Sequence, residues 1–243
     1  MKAPSVSAII VNWNHGHLIQ GCLDALLDQG YEPLDVTVVD NASHDGSPKQ
    51  IAERYPQVAL KLFPENYGFA YALNWAVRHS ASDWILSLNP DTIVQDRFIR
   101  EMFQGLDTFE GDASRVGSLA PKLLLAADPT ILDSTGLFVD RRRRPYDRGQ
   151  GESDRGQYDQ CLDLFGACGA AALYRRAMLE DVALDGEYFD AGFFAYYEDA
   201  DLAWRAQLRG WRCLYAPRAV VTHNRGRGDT LRKPGRETKN AAG

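Results

Sequence analysis

Apolar and polar positions alternate between two periods along the first part of the chain. Val6-Ser7-Ala8-Ile9-Ile10-Val11 is a compact β-rich run, and Leu18, Ile19, Cys22, Leu23, Leu26 and Leu27 follow at the three- and four-residue spacings of one helix face. Val36 to Val39 predicts a second strand that ends in the polar turn Asp40 to Ser47. A helix through Ile51, a strand over Val58 to Leu62, a helix from about Phe69 to His79 and a strand over Trp84 to Leu88 come next. Repeated strand-to-helix switches predict an α/β fold, a doubly wound, mostly parallel central sheet flanked by helices. Ligands of open α/β sheets bind beyond the carboxyl ends of the strands, so Asn12, Asp40 and Asn89-Pro90-Asp91 should line one crevice.

The second half is less regular. Residues 127–160, with Asp133-Ser134-Thr135-Gly136, the run Arg141 to Arg144 and the polar stretch Gly149 to Gln157, read as mobile loop. Order returns over Leu162 to Tyr174, an acidic helix start falls at Glu198-Asp199-Ala200-Asp201, and a strand pair, Cys213 to Tyr215 and Val220-Val221, precedes His223. From Asn224 the chain turns basic and polar, which predicts a poorly packed tail. No internal repeat is present.

Composition narrows the function classes. With 243 residues, 45% apolar and 25% charged, the chain is that of a soluble globular protein of one large or two small domains. The net charge of −6 argues against a nucleic-acid binder. That average is uneven: residues 224–243 carry six Lys/Arg against two Asp/Glu, leaving −10 for the preceding 223 residues. Four cysteines without a CxxC pair indicate reduced thiols rather than a disulfide framework or zinc finger. No apolar window is long enough to span a bilayer, which leaves docking on a membrane surface open. No GxGxxG follows the first strand and no GxxxxGK[ST] occurs, which disfavours a Rossmann dehydrogenase and a P-loop NTPase.

Several polar groups could carry chemistry. Asn89-Pro90-Asp91 reads first as a turn and second as a carboxylate at a strand tip, where Mg²⁺ or Mn²⁺ joins one or two carboxylates to substrate phosphates. His223, after an apolar strand, is either a structural donor or a metal ligand beside that carboxylate. Glu198, Asp199 and Asp201 suit the positive end of a helix, and Asp201 can pair with Arg205. Crowding of these carboxylates also raises their pKa, as a general base requires. Gly166 to Ala172 is nearly free of side-chain bulk and admits a ligand or a packed helix. Arg141 to Arg144 is either a solvated loop or an anion-binding tip.

Taken in order, Val6–Asn14 (VSAIIVNWN), Val38–Ser43 (VVDNAS), Asn66–Asn74 (NYGFAYALN), Leu88–Thr92 (LNPDT), Phe165–Arg176 (FGACGAAALYRR), Phe193–Arg205 (FFAYYEDADLAWR) and Tyr215–His223 resemble the family-2 glycosyltransferases with the GT-A fold, most closely their bacterial rhamnosyltransferase-like branch. The match spans about residues 5 to 223. The resemblance implies a GT-A domain over residues 1–223, with a donor-binding half to about 125 and an acceptor-side half from about 126. It also implies a C-terminal extension that the basic residues 224–243 do not supply, so that the chain is expected to be truncated there. The implied reaction is an inverting transfer of a sugar from a dTDP- or UDP-linked donor to a saccharide or lipid-linked saccharide acceptor. The leading expectation is rhamnose from dTDP-rhamnose, in bacterial surface polysaccharide assembly, in the cytoplasm or on the inner face of the cell membrane. Alternatives are a UDP-sugar transferase for galactofuranose or a hexosamine, and a degenerate sugar-nucleotide-binding protein. A nucleotidyltransferase is disfavoured because no glycine- and basic-rich triphosphate loop lies near the N-terminus.

Residue by residue, the resemblance places Val11, Asn12 and Asp40 at the nucleoside and Asn66, Gly68 and Asn74 around the pyrophosphate and sugar. Asn89 and Asp91 take the outer positions of the DxD metal motif, with Asn89 replacing an aspartate. Asp91 and His223 would hold Mg²⁺ or Mn²⁺. Asp199 matches the catalytic base, Glu198 and Asp201 would orient base or acceptor, and Gly169 belongs to the acceptor-side floor.

Overall fold

The computed structural model describes residues 3–225. Strand β1 (Val6–Asn12) runs through the middle of the molecule, all seven residues buried. β2 (Leu34–Asp40) and β4 (Trp84–Leu88) pair with it in parallel, and β3 (Ala59–Leu62) extends the block beyond β2. Helices α1 (Gly16–Leu27), α2 (Ser47–Arg54) and α3 (Phe69–Arg78) make the crossovers. β5 (Thr92–Val94), α4 (Phe98–Asp107), β6 (Val116–Leu125) and β7 (Asp128–Ser134) follow, then the small hairpin β8 (Leu137–Val139) and β9 (Pro145–Asp147). The chain continues through β10 (Asp163–Leu164), β11 (Ala171–Arg175), α5 (Arg176–Val182), α6 (Glu198–Leu208) and β12 (Arg212–His223).

The main sheet has the order β10-β12-β6-β11-β4-β1-β2-β3, with β5 on β12 and β7 on β6. β11 enters antiparallel to both β4 and β6, so the sheet is mixed around one inserted strand. Successive side chains of a strand face opposite sides. Ile10, Leu86 and Leu119 accordingly join α1 and α4 in one core, whereas Ile9, Ile85 and Tyr215 join α3 and α5 in the other.

Three parts of the sequence-based picture need correction. The stretch expected as loop over 127–160 contains β7, β8 and β9, and Asp133, Ser134 and Thr135 are fully buried. The strand pair before His223 is one strand, β12, whose register against β6 shifts between Ala216 and Val220. That shift falls opposite Pro121-Lys122, where proline lacks the N–H that a ladder requires. β6 itself was masked by this Pro-Lys pair. Nine of its ten residues are buried, and Lys122 is accommodated by Asp154 at 3.0 Å and Asp159 at 3.1 Å. Finally, the basic segment does not loosen at Asn224: its N–H donates to the Asp91 carbonyl at 2.8 Å, and Arg225 is ion-paired. The rest of the expected tail, residues 226–243, lies outside the described residues. Among the described residues no helix is long and apolar enough to cross a membrane, and all four cysteines are free thiols.

Candidate active site

The tips of β1 and β2 are tied together by Asn12. Its Nδ2 donates to Asp40 Oδ2 at 2.7 Å, Ser47 Oγ at 2.8 Å and Ser43 Oγ at 3.1 Å, while Asp40 Oδ1 accepts from the Ser43 N–H at 2.8 Å. Asn12 is wholly buried and Asp40 nearly so. Both side chains shape the loop 41–47 from beneath, and Asn12 Oδ1 has no hydrogen-bond partner among the described residues. Val11 is also buried, under the same tip. Trp13, about half exposed at the end of β1, is the group of this corner that does present a flat apolar face.

Asn66 and Gly68 form the entry to α3. The Asn66 Oδ1 accepts from the Gly68 N–H at 2.9 Å, and Asn41 grips the same loop by donating to the Gly68 carbonyl at 3.0 Å. Gly68 has φ of 89°, in the left-handed region that favours glycine, and a Cβ there would stand 2.6 Å from the Phe194 carbonyl oxygen. That carbonyl accepts from the Phe69 N–H at 2.6 Å, so the loop before α6 supplies an acceptor for the otherwise unpaired first turn of α3. Asn74 departs from expectation. Its Oδ1 accepts from the Tyr188 and Phe189 N–H groups at 3.1 and 3.0 Å, and its Nδ2 donates to the Phe189 carbonyl at 2.6 Å. Fully buried, with its amide spent on one loop, Asn74 braces the approach to α6 instead of contacting a sugar.

Asn89-Pro90-Asp91 is a turn: the Asn89 carbonyl accepts from the Thr92 hydroxyl at 2.7 Å. The Asn89 N–H donates to the Ala170 carbonyl at 2.9 Å, joining this turn to the small-residue segment. The Asn89 amide side chain has no hydrogen-bond partner among the described residues. Across β5 and β12, His223 Nε2 lies 3.3 Å from Asp91 Oδ1, and His223 Nδ1 lies 2.7 Å from Asp133 Oδ2. Burial pushes the imidazole pKa down, but hydrogen bonds and charges from Asp133 and Asp91 outweigh it and raise it to about 9. Arg225 then closes the group, meeting Asp133 Oδ1 and Asp147 Oδ2 at 3.0 Å each.

This donor set fits a hard divalent cation. A carboxylate oxygen and an imidazole nitrogen face each other, and the far side of the imidazole is held by a buried carboxylate, the partner that orients metal-bound histidines. Among the described residues no group of three or more His, Cys, Asp or Glu side chains could hold a metal. Asp91 and His223 would thus be two ligands at most, a number that fits an ion completed by substrate phosphates and water.

The α6 start carries the expected carboxylates in three different settings. Asp199 Oδ2 accepts from the Gly169 N–H and Oδ1 from the Ala200 N–H, both at 2.8 Å. Burial raises its pKa, and the charge of Asp147 adds to the rise while those backbone bonds oppose it. Glu198 is buried with Oε2 lacking any partner, and burial, followed by the Asp199 charge, raises its pKa to about 7. Asp201 turns away from the base. It pairs with Arg205 at 2.8 Å, whose guanidinium donates to the Val182 and Tyr188 carbonyls, so Asp201 steadies the 182–188 loop and not Asp199 itself.

The two groups of carboxylates belong to one site. The Asn89 N–H meets the Ala170 carbonyl and the Gly169 N–H meets Asp199, so the turn and the start of α6 share this small segment, where burial, and then the charges of Asp147, Asp199 and Asp133, raise the pKa of the Cys168 thiol. Asp133, Asp147 and Arg225 escaped sequence reasoning. The one available signal was Ile131-Leu132 leading into Asp133, an apolar pair before a carboxylate. Phe193, Phe194, Tyr196 and Tyr197 are exposed immediately before the base, and the last three have positive φ.

With this geometry in place, comparisons with known proteins can be read. A family model described as Glycosyl transferase family 2 matches residues 7–183. An N-acetylglucosaminyl-diphospho-decaprenol L-rhamnosyltransferase of Mycobacterium tuberculosis is 24% identical over 89% of this chain and 75% of its own length. A poly-β-1,6-N-acetyl-D-glucosamine synthase of Staphylococcus aureus is 25% identical over 88% of this chain, which spans 48% of that relative. Among solved structures, a mannosyltransferase from Pyrobaculum calidifontis in complex with GDP-Man and Mn²⁺ matches 94% of this chain and 59% of its own, with a TM-score of 0.64 and 22% identity, a likeness of fold. The family match runs through the strand tips, the Asn89–Asp91 turn and the small segment around Gly169, and the chain belongs to glycosyl transferase family 2.

Proposed function

We propose that this chain transfers a sugar, with inversion, from a nucleoside diphosphate donor to a hydroxyl of a lipid-linked saccharide in the assembly of a bacterial envelope polysaccharide. The observation that carries the reading is the pair of hydrogen bonds that join the two parts of the site through one short segment: the Asn89 N–H donates to the Ala170 carbonyl at 2.9 Å, and the neighbouring Gly169 N–H donates to Asp199 Oδ2 at 2.8 Å. The rhamnosyltransferase relative supports rhamnose as the sugar and a lipid-linked diphosphate sugar as the acceptor, and the family resemblance read from the sequence suggests dTDP as the carrier.

In this reading the donor lies over the tips of β1 and β2, against Trp13 and the loop that Asn12 and Asp40 frame. Asn66 and Gly68 shape the turn beside the diphosphate, with the free amide of Asn89 beneath it. Asp91 and His223 hold Mg²⁺ or Mn²⁺, which when bound neutralises charge developing on the departing diphosphate. Asp199 takes the proton of the acceptor hydroxyl as that oxygen bonds to the anomeric carbon. The bond from that carbon to the diphosphate breaks with its electron pair on the phosphate oxygen, and attack opposite the leaving group inverts the centre. The Gly169 N–H aims the carboxylate, and burial keeps it basic enough to accept a proton.

The test is a calorimetric donor screen, dTDP-rhamnose against UDP-sugars with Mg²⁺ and Mn²⁺, on the native chain, Asp199→Asn and Asp91→Ala. Asp199→Asn should bind donor normally and lose nearly all transfer, and Asp91→Ala should lose metal-dependent donor binding. Full transfer by Asp199→Asn would remove it as the base, and donor binding without transfer or hydrolysis by the native chain would favour a binding protein.

A further inference from the structure

The β8–β9 hairpin stands apart from the main sheet and is rooted in the acceptor side of the pocket. At its root Leu137 donates to the Gly166 carbonyl at 2.8 Å, and Asp147 takes part in the Arg225 ion pair. Its turn holds Arg141, Arg142, Arg143 and Arg144 in succession, all exposed. Asp140 builds that turn by accepting from the Arg142 and Arg144 N–H groups at 2.8 and 2.9 Å, and it neutralises Arg144 across 2.8 Å. Arg143 has φ of 61°, an uncommon conformation for a side chain of its size. Arg141, Arg142 and Arg143 have no ion-pair partner among the described residues. A defined turn therefore displays three adjacent uncompensated cations on a chain whose first 223 residues sum to −10.

From this juxtaposition we propose that the arginine tip of the β8–β9 hairpin docks the protein on an anionic membrane surface, with the acceptor wall of the pocket toward the lipid headgroups. Repulsion among three neighbouring cations is relieved by a field of negative charge, and guanidinium groups pair well with phosphate. Their full exposure suits many headgroups better than a single enclosed phosphate. Tyr146, on the same hairpin, is half exposed with its ring against Phe138 at 6.3 Å, and tyrosine is favoured at membrane–water interfaces. Strands of three residues put the turn about 10 Å from its root, so docking there brings the small-residue wall close to headgroup level. The biological sense of this surface rests on the lipid-linked acceptor proposed above, but its binding does not require transfer.

The experiment sediments the full chain with vesicles of phosphatidylcholine alone and of phosphatidylcholine with phosphatidylglycerol, without donor, beside the variant R141S/R142S/R143S. The variant retains residues 226–243, so any loss reports the hairpin. Native protein should bind only the anionic vesicles and detach as ionic strength rises to about 0.5 M. The variant should bind roughly 100-fold more weakly, from the contribution of each basic residue near such a surface, with an unchanged melting temperature. Equal binding by variant and native protein, or no binding by either, overturns the proposal. A second arm measures transfer to N-acetylglucosaminyl diphosphate on a short, water-soluble alkyl chain. An unchanged rate in the variant supports docking. A parallel loss means that the arginines grip the acceptor's own diphosphate, and docking fails. Anionic vesicle binding that depends on the arginines, without transfer to any acceptor, sustains the docking surface and overturns the proposed function instead.

Discussion

Replacing Glu198 by glutamine isolates the cost of keeping a carboxyl inside the pocket. Glu198 is 6% exposed, its Oε2 has no partner, and Asp199 is its neighbour in sequence and in charge. Its ordinary pKa of 4.5 rises to about 7 in the folded chain. The folded state therefore binds more protons than the unfolded chain between those two values, and the stability contribution of this group falls as pH rises from 4.5 to 7 and is level above. At 1.36 kcal/mol per pH unit, ionised Glu198 costs the native state about 3 kcal/mol, of which about 2 to 3 kcal/mol is incurred between pH 5 and pH 8. Glutamine keeps the shape and cannot ionise. An amide nitrogen where Oε2 now lacks a partner costs about 1 kcal/mol at either pH, and so cancels from the comparison. Denaturant unfolding of both proteins at pH 5 and pH 8 should show Glu198→Gln gaining on the native chain by about 2 to 3 kcal/mol as pH rises. A difference independent of pH, or one that grows toward acid, would refute the argument that burial holds this carboxyl protonated.

Further outcomes follow from the contacts around the pocket. Gly68→Ala should free the 190–197 loop, because its Cβ would stand 2.6 Å from the Phe194 carbonyl; limited proteolysis should cut the variant near Phe194 faster than the native chain. Asn74→Ala orphans the buried Phe189 N–H and carbonyl and the half-buried Tyr188 N–H, a loss of about 3 kcal/mol that lowers Tm by roughly 10 °C. Its donor affinity, measured at a temperature where it is folded, should stay within a few-fold, whereas a direct sugar contact would lower affinity and spare Tm. Asp133→Asn should weaken Mn²⁺-dependent donor binding roughly 10- to 100-fold in calorimetry, through the orientation of His223, while also weakening the Arg225 ion pair.

Much of this site was legible because its groups sit where short-range patterns change. Asn12, Asp40 and Asp91 end or follow apolar strands, and Asp199 opens a helix after an aromatic run, so period and punctuation locate them. What the pattern does not carry is the direction in which an amide or carboxyl points. Asn74 lies within a recognisable motif, but its partners are more than a hundred residues away, and only the folded chain brings Tyr188 and Phe189 to it. Asp201 was likewise visible both as a site carboxylate and as an Arg205 partner, and the pairing won. Asp133 and Asp147 were hidden for a different reason. β7 opens on the polar, turn-like Asp128-Pro129-Thr130 and β9 is only three residues long, and they become ordered by pairing with β6 and with β8, which is anchored to the loop at Gly166.

Electrostatics supplies a reason for a cation here that does not depend on any motif. Asp91 and Asp133 share His223, Asp133 and Asp147 share Arg225, and the Asp147 charge reaches Asp199, so two cations serve four carboxylates. Even with both of these charged the carboxylates outnumber them, a metal bound at His223 would displace the proton on its Nε2 and widen that excess, and a donor diphosphate brought there adds negative charge in a medium where repulsion is poorly screened. A side-chain ammonium or guanidinium would be drawn into pairing with the carboxylates. A divalent ion held at Asp91 would instead offset charge on both the carboxylate and the phosphates. Asn89 fits the same balance. An aspartate at its position would add another negative charge beneath the diphosphate, whereas the unpartnered amide can donate to a phosphate oxygen without one. Substitution of the motif's first carboxylate is therefore compatible with the proposed donor binding, in which Asp91 and His223 would hold the ion and the buried Asp133 would fix the imidazole.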